Sequence, residues 1–131
     1  TTRATRFGRI KDYAKRAHEE ICVLVQVETQ GALDSIEAIC DIDGVDGVFI
    51  GPADLHASMG YTGEIANPKI KPVIDDAIPR IRKAGKAPGI LTPSEADARQ
   101  WLECGALFVA VGSDVGILAR GAESLAAKFK S

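Results

Sequence analysis

The sequence predicts an α/β domain of about four βα units around a parallel sheet, and three observations carry that prediction. Four apolar runs rich in β-branched residues and too short for helices occupy residues 21–27, 45–50, 89–91 and 106–111. Continuous apolar runs of that length read as strands buried on both faces. Between them, apolar residues recur at three- and four-residue spacing, the mark of a helix with one buried side. Glycine and proline punctuate the boundaries, so strand and helix alternate along the whole chain, the pattern of βα units.

A first helix is expected near Ile10 to Glu20, ahead of the strand from Ile21 to Val27. Ala32, Leu33, Ile36 and Ile39 then predict a helix within 30–40. The second strand, Val45 to Ile50, leads into a long connection from Gly51 to Asn67 that contains His56, Met59 and Tyr61. Connections this long are typically lids, binding loops or subunit contacts. Ile70, Val73, Ile74, Ala77, Ile78 and Ile81 mark the next helix, although Pro79 inside it removes a hydrogen bond and should kink or split it. After the strand Gly89 to Leu91, Thr92-Pro93-Ser94-Glu95 reads as a capping box with Thr92 as the cap. That helix should stop near Cys104, because Gly105 supplies the left-handed residue that ends helices. The strand Ala106 to Val111 follows, then a last helix from about Gly116 to Phe129 with Ile117, Leu118, Leu125 and Phe129 on its apolar side.

At 131 residues, 46% hydrophobic and 26% charged, the chain is read as one globular domain over 1–131. A net charge of −2 with intermixed signs creates no field to recruit nucleic acid or an anionic membrane. No apolar run reaches membrane-spanning length, and the N-terminal residues lack the apolar core of a secretory signal, so a cytoplasmic location is expected. Cys22, Cys40 and Cys104 are odd in number and form no CxxC, so they are read as small buried apolar residues rather than a disulfide or zinc framework. Periodicity alone leaves two architectures open: a doubly wound open sheet, or part of a closed barrel with two raw edges.

Chemistry points to the C-terminal ends of the first two strands, where ligands bind in barrels and open α/β sheets alike. Gln26 and Glu28 stand two apart in Val25-Gln26-Val27-Glu28-Thr29, and therefore on one face of a strand that has no structural need for them. Asp54 follows the second strand in Gly51-Pro52-Ala53-Asp54-Leu55. The structural alternatives are that Glu28 caps the next helix and that Asp54 caps a short helix beginning at Leu55. Taken together, two carboxylates from successive strands make an oxygen-rich site suited to a hard divalent ion such as Mg²⁺ or Mn²⁺. His56 reads as a solvated loop histidine, His18 as surface, Asp114 as the cap of the last helix and Trp101 as helix packing. No predicted strand contains a lysine, so a Schiff-base aldolase has no nucleophile here, and no Gly-rich phosphate loop is present.

The segments Leu24 to Thr29, Val45 to Leu55, Lys86 to Leu91 and Gly105 to Gly112 resemble, in family order, the HpcH/HpaI aldolases. The resemblance covers essentially the whole chain and implies the C-terminal half of a TIM (β/α)₈ barrel, in a class II aldolase that cleaves 4-hydroxy-2-oxo acids to pyruvate and an aldehyde. It further implies that Glu28 and Asp54 ligate a divalent ion (Mg²⁺, Mn²⁺ or Co²⁺) and that Gln26 contacts the substrate. Ala53 and Asp54 would offer backbone amides to the pyruvyl carboxylate. An ion chelated by the keto and carboxylate oxygens would polarise the carbonyl and stabilise the enolate formed on cleavage. The family's general-base histidine, its supporting aspartate and its arginine belong to the N-terminal half, which nothing here matches. The expected partners are therefore a 2-keto acid such as pyruvate, an N-terminal half and a symmetric homo-oligomer. Two other readings share these features: a non-catalytic half-barrel that pairs with itself, and an oxaloacetate decarboxylase or citrate-lyase-like acyl-CoA lyase.

Overall fold

The computed structural model describes residues 2–64 and 67–130. The elements follow in the order α1 (Tyr13–Glu20), β1 (Leu24–Val27), α2 (Gln30–Asp34), α3 (Ile36–Cys40), β2 (Gly47–Ile50), α4 (Pro52–Ser58), α5 (Ile70–Lys83), β3 (Ala87–Leu91), α6 (Glu95–Glu103), β4 (Phe108–Ala110) and α7 (Asp114–Ala127). The four strands form one parallel sheet in the order β1-β2-β3-β4, with Val27 opposite Ile50, Ile50 opposite Ile90, and Ile90 opposite Val109. Sequential order decides between the two architectures left open. A doubly wound sheet reverses its strand order at a switch point, whereas right-handed crossovers that always advance in one direction leave every helix on one face, as in an arc of a barrel.

Strand alternation then divides the sheet into two unlike faces. Val27, Val48, Ile50 and Ile90 are buried against Leu33 and Ile36 of α2 and α3 and Ile70, Ile74, Ile78 and Ile81 of α5. α5 is the centre of this layer, in contact with α3, α4, β2 and β3. The other face carries Leu24, Gln26, Phe49, Leu91 and Phe108, and no helix covers it among the described residues; Phe108 is 52% exposed. On that face the rings of Phe49 and Phe108 approach to 5.8 Å across Gly89, where a Cβ would meet them at 3.0 and 3.2 Å.

Several local expectations are corrected. The predicted first strand begins only at Leu24 and the second only at Gly47; Ile21 and Val23 are exposed. The helix expected within 30–40 is two short helices meeting at Ser35, whose hydroxyl donates to the Gly31 carbonyl at 3.0 Å, a side-chain competitor to the helical ladder. The 51–67 connection is not one loop, because α4 fills its first half. Pro79 does not split α5, which runs unbroken from Ile70 to Lys83. The proline is exposed while its neighbours Ile78 and Ile81 are fully buried, so packing of the opposite face holds the helix together across the lost hydrogen bond.

Helix ends also moved. Ser94, not Thr92, caps α6, accepting from the Asp97 amide at 3.3 Å, while the Thr92 hydroxyl accepts from the Ser94 amide at 3.1 Å. Gly105 takes the expected left-handed conformation, with φ of 104°. α7 begins at Asp114 rather than Gly116 and ends at Ala127. Its predicted apolar side is uncovered: Ile117, Leu118, Leu125 and Phe129 are all exposed. Of the cysteines, Cys40 is buried, and burial raises its thiol pKa, but Cys22 is exposed, contrary to expectation. Trp101 is buried as predicted and donates its indole N–H to Asp75 at 3.0 Å, joining α6 to α5. Among the described residues no helix is long and apolar enough to cross a membrane.

Candidate functional site

The candidate site lies at the C-terminal ends of β1 and β2. Gln26 pairs in register with Phe49, and both belong to the face that no helix covers. Two residues further, Glu28 leaves the strand on the same side, and its carboxylate accepts from the Gln26 side-chain amide at 2.5 Å. Gly51, the residue after β2, donates its amide to the Val27 carbonyl at 3.0 Å and so continues the ladder level with Glu28. The structure therefore brings Gln26, Glu28 and Gly51 together, with Asp54 one helical turn beyond.

Neither Glu28 nor Asp54 serves as the cap of the helix beside it. Thr29, not Glu28, caps α2, accepting from the Ala32 amide at 3.2 Å. Asp54 caps nothing, because α4 begins at Pro52, with Gly51 in the capping position, and Asp54 is exposed in the first turn. The first-turn N–H groups of Ala53 and Asp54 have no intrahelical acceptor, as at any helix start, and a carboxylate near them is favoured. α4 is held to the start of α2 at its far end, where the Ser58 hydroxyl accepts from the Gln30 amide at 3.2 Å.

This donor set suits a hard divalent ion without completing a cage. Among the described residues no three His, Cys, Asp or Glu side chains converge as a metal cluster. One or two carboxylates, with the remaining positions left to water and a chelating substrate, are the usual Mg²⁺ arrangement, and a Glu and an Asp are donors of that kind. Asp114 is a correction: Ser113 caps α7 by accepting from the Gly116 amide at 3.1 Å, while the Asp114 carboxylate accepts from its neighbour Val115 at 2.7 Å. His18 is exposed, as expected.

His56 is the residue that sequence reasoning placed wrongly. It is buried within α4 rather than solvated, its Nδ1–H donates to the Pro52 carbonyl at 2.5 Å, and its Nε2 has no partner among the described residues. Its position four residues after Pro52 and next to the buried Leu55 was the available signal, once the segment is known to be helical. The ring borders a cavity of about 340 Å³ on the helical side, also lined by Ile74, Thr92 and Trp101. There the Lys71 ammonium donates to Asp97 at 2.8 Å and stands 5.2 Å from the Trp101 ring; the hydrogen bond from Lys71 holds the Asp97 carboxyl below its usual range.

The family model described as HpcH/HpaI aldolase/citrate lyase matches residues 2–121. Over 127 residues, 97% of this chain, the sequence is 58% identical to a 4-hydroxy-2-oxo-heptane-1,7-dioate aldolase from Klebsiella pneumoniae subsp. pneumoniae and covers 48% of that protein. Over the same shares of each chain it is 57% identical to the aldolase of that name from Salmonella paratyphi B. A crystal structure of an HpcH/HpaI aldolase/citrate lyase family protein from Burkholderia cenocepacia superposes with a TM-score of 0.88 at 36% identity, covering 99% of this chain and 51% of that one. The chain thus spans about half the length of the curated relatives it matches.

Proposed function

The chain belongs to the HpcH/HpaI aldolase/citrate lyase family, and from that membership we propose that it carries the divalent-cation half of a carbon–carbon lyase active site. The proposed reaction cleaves a 4-hydroxy-2-oxo acid, such as 4-hydroxy-2-oxoheptanedioate, to pyruvate and an aldehyde. The observation that carries the reading is the pairing of Gln26 and Glu28 at the end of β1, beside Gly51 where β2 leads into α4.

In this reading Glu28 and Asp54 hold the ion, which when bound supplies Lewis-acid polarisation of the 2-keto group. Gln26 orients Glu28 with one amide hydrogen and presents the other to the substrate. The Ala53 and Asp54 amides orient the pyruvyl carboxylate at the start of α4. The proton-transfer histidine and the arginine come from the four further βα units that would close the barrel, within an oligomer. A lyase acting on an acyl-CoA, which the family description also admits, would use the same donors, and substrate profiling separates the two. The uncovered face and open sheet edges also favour a second reading, a non-catalytic half-barrel that pairs with itself.

Calorimetric titration of Mn²⁺ in the presence of pyruvate tests the proposal on this chain and on a Glu28→Gln, Asp54→Asn variant. Saturable binding that the variant loses is expected, followed by retro-aldol activity when an N-terminal half is added. Identical behaviour of a folded wild type and the variant would reject Glu28 and Asp54 as ligands and favour the self-pairing scaffold.

A further inference from the structure

We propose that Gly51 is a positioning residue for the Glu28 carboxylate: the missing side chain at the end of β2 is the seat on which Gln26 and Glu28 rest. The inference rests on the reading of Glu28 as a cation ligand, and it concerns how that ligand is held.

Glycine at this position is not explained by the backbone. Gly51 has φ −97° and ψ 92°, an extended conformation open to any residue. Space is what requires it. A Cβ built on Gly51 would lie 2.8 Å from Gln26 Nε2, 2.9 Å from Glu28 Oε2 and 3.0 Å from Glu28 Cβ. The two closest atoms are the two partners of the Gln26–Glu28 hydrogen bond. A methyl group at 51 therefore contends with the pair that orients the carboxylate, before it touches any backbone atom.

The kind of atom met decides what such a methyl does. Gly47, at the other end of the same strand, would place its Cβ 2.5 Å from the Ala87 carbonyl oxygen, a backbone atom of the neighbouring strand that cannot move without opening the sheet. At Gly51 the two nearest obstacles are the far ends of flexible side chains, which rotate aside at little cost; the third, Glu28 Cβ at 3.0 Å, is fixed to its backbone and yields by a shift of a few tenths of an ångström. Gly51→Ala should accordingly leave the fold standing while turning the Glu28 carboxylate away from the end of β2. Gly51 itself is buried, so the methyl has no outward path to solvent.

The test compares wild type, Gly51→Ala, Glu28→Gln and Gly31→Ala, the last at a helical glycine with open space around it. Each is measured for Mn²⁺ affinity in the presence of pyruvate and for thermal unfolding, and the Gly51→Ala crystal structure is determined. The expected result is a folded variant with an unfolding temperature only slightly lowered, affinity lowered about 10–100-fold, the loss typical of removing a support behind a metal ligand, and a displaced Glu28 carboxylate. Gly31→Ala should match wild type. Wild-type affinity in Gly51→Ala beside a weakened Glu28→Gln would overturn the role of Gly51 and leave the ligand assignment standing. Unfolding of Gly51→Ala would also overturn it, since the strain would then fall on the backbone. If Glu28→Gln binds as wild type does, the ligand reading itself is wrong, and the positioning role goes with it.

Discussion

The two faces of the sheet are built from the same four strands and behave as different materials. Toward the helices, Val48, Ile50 and Ile90 are fully buried beneath α5, in a layer of branched aliphatic side chains. Toward the open side, Leu24, Leu91 and Phe108 are 41–52% exposed, glycines alternate with aromatics, and Gln26 and Glu28 interrupt the apolar pattern. The helical face explains why the elements hold together. The open face carries the candidate residues Gln26 and Glu28, and its apolar residues stand partly exposed. α7 belongs with the open face in this respect, since none of its residues is buried.

Truncation on each face should break this comparison if it is wrong. Ile78→Ala removes a fully buried side chain at the centre of α5 and should cost about 2–5 kcal/mol. Phe108→Ala removes an exposed ring that meets only one aromatic partner and should cost no more than about 1.5 kcal/mol. Urea denaturation of both variants gives the answer; equal losses would mean that the open face is already covered in solution. A smaller change sharpens the picture of the helical side. Trp101→Phe keeps the ring packed but deletes the N–H donated to Asp75, and should cost about 1–3 kcal/mol in the same measurement.

The smallest effect is electrostatic. Arg80 donates two hydrogen bonds to Glu37, both of 2.7 Å, tying α5 to α3, and this contact lowers the Glu37 pKa from 4.5 to about 2. Because the folded value lies below the unfolded one, the contribution is present above the ordinary carboxylate range and is lost as pH falls toward 2. Glu37→Gln should flatten the unfolding temperature against pH across that window. Glu37 is exposed and Arg80 half-buried, so salt should shrink the difference.

Much of this was legible along the chain, for reasons particular residues make plain. Buried strands are continuous apolar runs, so Val48 to Ile50 and Ile90 announced themselves, and the isoleucines of α5 kept their spacing through Pro79. Glu28 and Gln26 stood out because a strand so apolar has no local use for them. What misled were contests between near neighbours. Ser94 and Thr92, or Ser113 and Asp114, offer the same capping chemistry, and only the backbone path selects one. His56 reads as solvated along the chain because its segment has the composition of a loop; once Pro52 starts a helix, the ring turns inward beside Leu55.

The sequence by itself determined the α/β class, the strand and helix alternation and the two acidic candidates, because periodicity and composition are local properties that survive without knowledge of contacts. Only the tertiary structure decided that the strands run β1-β2-β3-β4 with helices on one face, that Gln26 donates to Glu28, and that Gly51 lies beneath both. Those facts depend on which distant residues meet. Residues 26 and 51 are adjacent because two parallel strands pair in one register, and no local pattern encodes that register.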